Sequence, residues 1–328
     1  MSKVSLYLVA AAALPLALSA CGGGGGGGGV ESIPPPPPPP PPPTGNGPLP
    51  PDHLALVSPQ PFVALGVSDG YTTDASGNNP QVLSGPAAAN VQFSYDAATN
   101  TYQISLPGFQ AGRLANPGYN GSEGQVATGS TSQVTVGSSA TLQPVFVTLP
   151  VPGSEFSPYT YTSFGSWNGQ TGQTADGRII RSEGAFAYGI PTQPGDVPTT
   201  GSASYTAEIK ATLGPSDGFF GFVGGDVNLL FDFGAGKLSG SMHPRISDSF
   251  DGIFVDYGQY DFKDTVYSTG STTFSGKFVV PGLPDADSFF DGNFTGPNAA
   301  ELMARFEVPY LRGGQRGTIS GVWVGKKH

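Results

Sequence analysis

Reactive side chains are scarce in this sequence of 328 residues, which has one thiol, Cys21, and three imidazoles, His53, His243 and His328. A single cysteine excludes intrachain disulfides and cysteine-based zinc or iron–sulfur centres. A metal site or a Ser-His-Asp triad would rest almost wholly on His243, which stands after a strand and beside Pro244 and Arg245. As a haem ligand it would need an apolar slot, with Met242 or Tyr257 at hand. The densest acidic tract, Asp248, Asp251, Asp256, Asp261 and Asp264, is interleaved with Phe250, Phe254, Tyr257, Tyr260 and Phe262. Oxygen ligands at that density suit Ca²⁺, but the spacing is not that of an EF-hand loop with its terminal Glu, and solvated hairpin carboxylates are expected. The aromatics say more, because some must lie outside the fold, where rings anchor partners. Phe254, Tyr257, Tyr260 and His243 are therefore the candidate ligand-binding residues. Glu301 is expected to accept hydrogen bonds at the start of a strand, and Gly218 to Phe222 to form a hairpin tip or a buried bend. No acid, base and nucleophile converge, so the chain is expected to be non-catalytic, without a metal or cofactor.

The elements that carry these residues begin with an N-terminal leader. Lys3 is followed by the apolar stretch Val4 to Ala17 and then by Leu18-Ser19-Ala20-Cys21. One basic residue, a short apolar run and small residues at the end have the layout of an export signal, too short to span a membrane. Leu18-Ser19-Ala20-Cys21 resembles the lipobox of bacterial lipoproteins. That resemblance implies cleavage after residue 20, acylation of Cys21 and, with Gly22 following, transfer to the Gram-negative outer membrane. Several acyl chains hold far better than one, because each buried CH₂ contributes about 0.8 kcal/mol. Eight glycines, Gly22 to Gly29, and ten prolines, Pro34 to Pro43, follow. The glycine run is a loose coil spanning roughly 16 Å and the prolines a stiffer rod of about 31 Å, a disordered tether over 21–51 that lifts a domain off a lipid surface.

Beyond the tether the composition is that of strands and tight turns. Only 12% of residues are charged, and the net charge of −10 disfavours nucleic acid as a partner. Apolar residues alternate with polar ones rather than recurring at a helical spacing. Residues 91–95 and 101–106 read as a hairpin, and further strands are expected at 133–136 and 142–149. In 204–213, Tyr205, Ala207, Ile209, Ala211 and Leu213 share one face, with Thr206, Glu208, Lys210 and Thr212 on the other. Val227, Leu229, Phe231 and Phe233 repeat the pattern, and Phe274/Gly276/Phe278 and Phe290/Gly292/Phe294 alternate large with small. Successive hairpins of this kind predict an all-β fold, an antiparallel eight-stranded up-and-down barrel with glycines where a bulky neighbour needs room. Charges on the outer faces favour a soluble barrel over a membrane one.

Six ordered segments resemble the β-barrel domain of the transferrin-binding protein B family. They are Tyr161 to Trp167, Gly184 to Gly189, Val197 to Tyr205, Phe231 to Gly240, Gly296 to Leu302 and Gly321 to Lys327. The resemblance implies a surface lipoprotein with a smaller β-rich handle-like domain over 52–155 and a barrel over 156–328, a single lobe. It also implies a binding role: capture of an iron source, either an iron-carrier protein or haem, for an outer-membrane transporter such as a TonB-dependent receptor. An adhesin or host-factor-binding protein without an iron role would share every one of these features.

Overall fold

The computed structural model of the chain describes residues 60–96, 98, 101–109, 112–115, 132–136, 143–148, 158–213, 222–248 and 253–328. Cys21, the tether, Gly218 to Gly221, Phe250 and Asp251 lie outside them. The described chain is all-β apart from a 3₁₀ turn at Pro297–Ala299. Its first part comprises β1 (Gln60–Pro61), β2 (Val63–Thr73), β3 (Gln81–Ala89), β4 (Gln92–Asp96), β5 (Thr101–Ser105), β6 (Gly112–Ala115), β7 (Ser132–Val136), β8 (Gln143–Thr148), β9 (Thr162–Gln173) and β10 (Ile179–Gly189). These strands form a four-stranded sheet, β1-β4-β5-β6, and a six-stranded sheet, β3-β2-β10-β9-β8-β7. The strands expected at 133–136 and 142–149 are β7 and β8. The segments around Trp167 and Tyr188, grouped with the barrel by sequence, are hydrogen-bonded into the six-stranded sheet as β9 and β10.

The second part comprises β11 (Ser202–Leu213), β12 (Phe222–Asp232), β13 (Lys237–Asp248), β14 (Ile253–Asp256), β15 (Tyr260–Val266), β16 (Thr273–Val279), β17 (Phe289–Thr295), β18 (Glu301–Arg312) and β19 (Gln315–Lys327). Consecutive strands pair antiparallel, and β11 pairs with both β12 and β19, which closes an eight-stranded up-and-down barrel with β14 as an extra strand on β13. Alternation in β11 is obeyed residue by residue, with Tyr205, Ala207, Ile209, Ala211 and Leu213 buried and Thr206 and Glu208 exposed. Charged outer positions are paired, Lys210 with Glu208, Arg245 with Asp226 and Arg305 with Asp291, where a lipid-facing wall would be apolar.

Aromatic rings fill the interior in tiers. Phe231 lies 4.8 Å from Phe294, 5.2 Å from Phe274 and 5.2 Å from Tyr267 near one end. In the next tier Trp323, fully buried, packs 5.1 Å from Phe290, 5.6 Å from Phe262 and 5.7 Å from Phe306. Tyr257 and Tyr310, 4.8 Å apart, close the other end. Small residues make room for these rings: a Cβ on Gly276 would sit 2.5 Å from the Phe290 ring, and one on Gly292 would collide with Phe274. Side chains thus fill the space that a larger barrel gives to a ligand.

The six-stranded sheet is covered on both faces. Trp167, Phe186 and Tyr188 point toward the four-stranded sheet, where Phe93 stacks on Tyr188 at 3.9 Å. From the opposite face Val67, Ala185, Ala187 and Phe164 pack on Met303, Val322 and Val324 of the barrel's outer wall. This two-sided burial explains why strands of both faces read as barrel strands in the sequence.

Candidate binding face

The sequence candidates divide between the inside and the outside of the barrel. Tyr260 is 1% exposed in the aromatic interior, and burial raises its hydroxyl pKa. Tyr257 is buried against Tyr310. Phe254 and His243 lie on the outer wall, four positions apart in the register of β13, and are separated from the tyrosines. The cause is local. Tyr257 faces inward in phase with Val255, while the Asp256 carboxylate accepts the backbone N–H of Gly258 at 2.7 Å and Gly258 takes φ 82, so the period of two is broken between β14 and β15 and Tyr260, in phase with Phe254 by number, also turns inward.

The outer face of β12, β13 and β14 is ordered in rows by its register. Asp226 stands opposite His243, and Gly224 opposite Arg245, which is opposite Asp256. Phe254 stands opposite position 247 of β13, and Phe222 begins β12, two residues before Gly224. Two strand spacings separate the two rings' strands, roughly 10 Å. Phe222 is 84% exposed and Phe254 67%, while their neighbours Val223 and Val255 are buried. Sequence reasoning left Phe222 undecided, although the signal was there: with Val223, Val227 and Leu229 facing inward, the even positions of this strand must face out.

Below the rings the polar groups are paired. Arg245 pairs with Asp226, and His243 Nε2 contacts Asp256 Oδ1 at 2.7 Å. Asp256 is held below the usual carboxylate range, first by the Gly258 N–H and then by His243. Gly224 leaves a notch in this wall, since a Cβ there would meet nothing within 4 Å. With two bare phenyl rings, a guanidinium and paired polar groups, the face carries residue types enriched at interfaces. Two shallow hollows lie elsewhere on the outside, the larger of about 330 Å³ beside Leu230, Lys237 and Thr265. Among the described residues no group of three or more His, Cys, Asp or Glu is placed to hold a metal ion.

A second set of residues fixes the crossing between sheet and barrel. Glu301 accepts the backbone N–H of Thr160 at 2.6 Å and of Tyr161 at 2.9 Å, which is the structural role expected of it. Tyr205 donates to the Ala299 carbonyl at 2.6 Å, and Gly296, at φ 70, leaves room for the Tyr161 ring. Asn298 and Ala299 sit at φ 54 and 53, an unfavourable backbone held by these contacts. The Gly296 to Leu302 segment is thus a structural clasp.

No family model matches the chain, and no curated protein matches it. Solved structures do. The chain is similar to transferrin-binding protein B. A double mutant of the vaccine antigen from Haemophilus parasuis Hp5 is 14% identical over 82% of this chain and 77% of that one, with a TM-score of 0.34. The isotype 1 protein from serogroup B Neisseria meningitidis is 14% identical over 80% of this chain and 43% of that one, with a TM-score of 0.36. A structure described as a surface lipoprotein is 11% identical over 80% of this chain and 98% of that one, with a TM-score of 0.34.

Proposed function

We propose that the chain is a non-catalytic binding lipoprotein of the Gram-negative outer membrane, displayed at the cell surface, which captures an iron-carrier protein on the outside of its barrel for an outer-membrane transporter. In this reading residues 1–20 are the export signal, Cys21 carries the acyl chains, 21–51 form the tether, 52–155 the handle-like domain, to which β9 and β10 are joined, and the remainder of 156–328 the barrel. The single observation that carries the binding mode is the contrast between an interior packed with rings and an outer wall that leaves Phe222 and Phe254 bare. A haem-sized ligand finds no room among the described interior side chains, whereas a protein can cover two exposed rings. The iron-carrier part rests on the six ordered motifs.

Surface plasmon resonance on the immobilised full chain tests the reading, with iron-loaded transferrin, iron-free transferrin and haem as analytes. Saturable binding of the iron-loaded protein is expected. Binding of haem alone would overturn the iron-carrier reading in favour of haem capture, and binding of none of the three would overturn it in favour of an adhesin. Incorporation of labelled palmitate in cells, lost in Cys21→Ala, is expected for the anchor; incorporation that survives the substitution would remove it.

A further inference from the structure

The seam between the six-stranded sheet and the barrel wall changes character along its length. One end is apolar, with Val67, Ala185 and Ala187 against Met303, Val322 and Val324. The other end sets three carboxylates against each other. Asp69 on β2 lies directly opposite Glu183 on β10, a like-charge cross-strand pair that is destabilising when both are ionised. Glu307 of β18, itself opposite Ser320 of β19, faces them from the barrel wall. Asp69 is 3% exposed; the Ser320 hydroxyl serves its carboxylate, but Oδ1 has no hydrogen-bond partner.

The surrounding charges do not neutralise this cluster. Glu183 accepts from Tyr71 at 3.1 Å and from Asn168 at 2.9 Å, both neutral donors. Arg181, on β10, acts weakly on Glu183. Arg305 of β18 is engaged by Asp291 of β17 at 2.9 Å, and Lys210 of β11 by Glu208 at 2.9 Å. Arg178 bonds Thr72 at 2.9 Å and the Asn79 carbonyl at 2.5 Å. Nor are the three carboxylates gathered round a point where a metal ion would sit. A proton is the remaining neutraliser, and the unpartnered Asp69 oxygen is where it fits.

We propose that the packing of the six-stranded sheet on the barrel is a pH-sensitive latch, held shut by a proton on Asp69. Burial, then Glu183, then Glu307 push the Asp69 carboxyl from its ordinary value up to about 7, against the Ser320 hydrogen bond. Glu183 and Glu307 are raised too, chiefly by burial. A carboxyl whose value is raised in the closed state favours closure fully below its exposed value, near 4. That advantage fades as pH rises and is gone above about 7. One proton changes the closed-to-open ratio about tenfold per pH unit across that window, so roughly 100-fold is lost between pH 5 and pH 7.

Hydrogen exchange of the full chain, corrected for intrinsic rates, reads this directly. Protection of β2 and β10 is expected to fall about 100-fold from pH 5 to pH 8 while that of β16, on the far side of the barrel, stays level. In Asp69→Asn the fall of β2 and β10 protection over the same range should shrink to the smaller part that Glu183 and Glu307 contribute. Equal falls in wild type and variant, or no fall in wild type, would overturn the latch. Should Asp69→Asn not fold, Glu307→Gln, which removes one of the charges opposing ionisation of Asp69, must shrink the fall; an unchanged fall contradicts the proposal.

Discussion

The barrel interior and the acidic end of its seam with the six-stranded sheet are both buried, yet they are made of opposite materials. Inside the barrel, rings interlock with glycines, and the buried polar groups are tyrosine hydroxyls such as those of Tyr205 and Tyr260, which burial keeps protonated. At the seam, carboxylates are enclosed with hydroxyl and amide partners but no dedicated cation. A body of the first kind is stable at any moderate pH and indifferent to the charge of its surroundings. A seam of the second kind is only as firm as the protonation of its acids allows. The comparison also separates two ways of being exposed: the outer wall at β12 to β14 leaves rings bare but pairs its charges, whereas the seam covers its charges but leaves them unpaired.

Substitutions break the comparison in order of size. Trp323→Ala empties the middle tier and should cost roughly 3–5 kcal/mol in denaturant unfolding, with the same cost at pH 5 and pH 8. Glu301→Ala orphans the backbone donors of Thr160 and Tyr161 and should cost about 2–3 kcal/mol, seen as a lower denaturation midpoint at an unchanged slope. Asp69→Asn should raise stability by about 1–3 kcal/mol at pH 8.5, where the wild-type carboxyl is ionised, and give no gain at pH 4. Phe222→Ser and Phe254→Ser should each move stability by less than about 0.5 kcal/mol, because their rings contribute little to packing. Denaturant unfolding at acidic and alkaline pH checks all four.

Much of the barrel could be read from the sequence, because strict alternation in β11 and the large-small pattern of Phe274/Gly276 and Phe290/Gly292 have one simple geometric meaning. What defeated alternation were its interruptions. Gly258 and the irregularity between Lys263 and Val266, where Asp264 takes φ 49, reset which residues face inward, so Tyr260, beyond Gly258, could not be told from Phe254 by counting. Strands β9 and β10 carry apolar residues on both faces, so pattern alone could not choose between barrel and sheet. The Asp69–Glu183–Glu307 group joins three distant segments of the chain, and no local pattern announces it. Cys21 is a different case, since its reading rests on the leader and tether.

The central claim, that this barrel binds from its outer wall and not within, is tested most directly by surface plasmon resonance of the full chain against iron-loaded transferrin, comparing wild type with Phe222→Ser/Phe254→Ser. The account predicts saturable wild-type binding and at least a tenfold weaker double variant with an unchanged melting temperature. Equal affinity in the two proteins would contradict it.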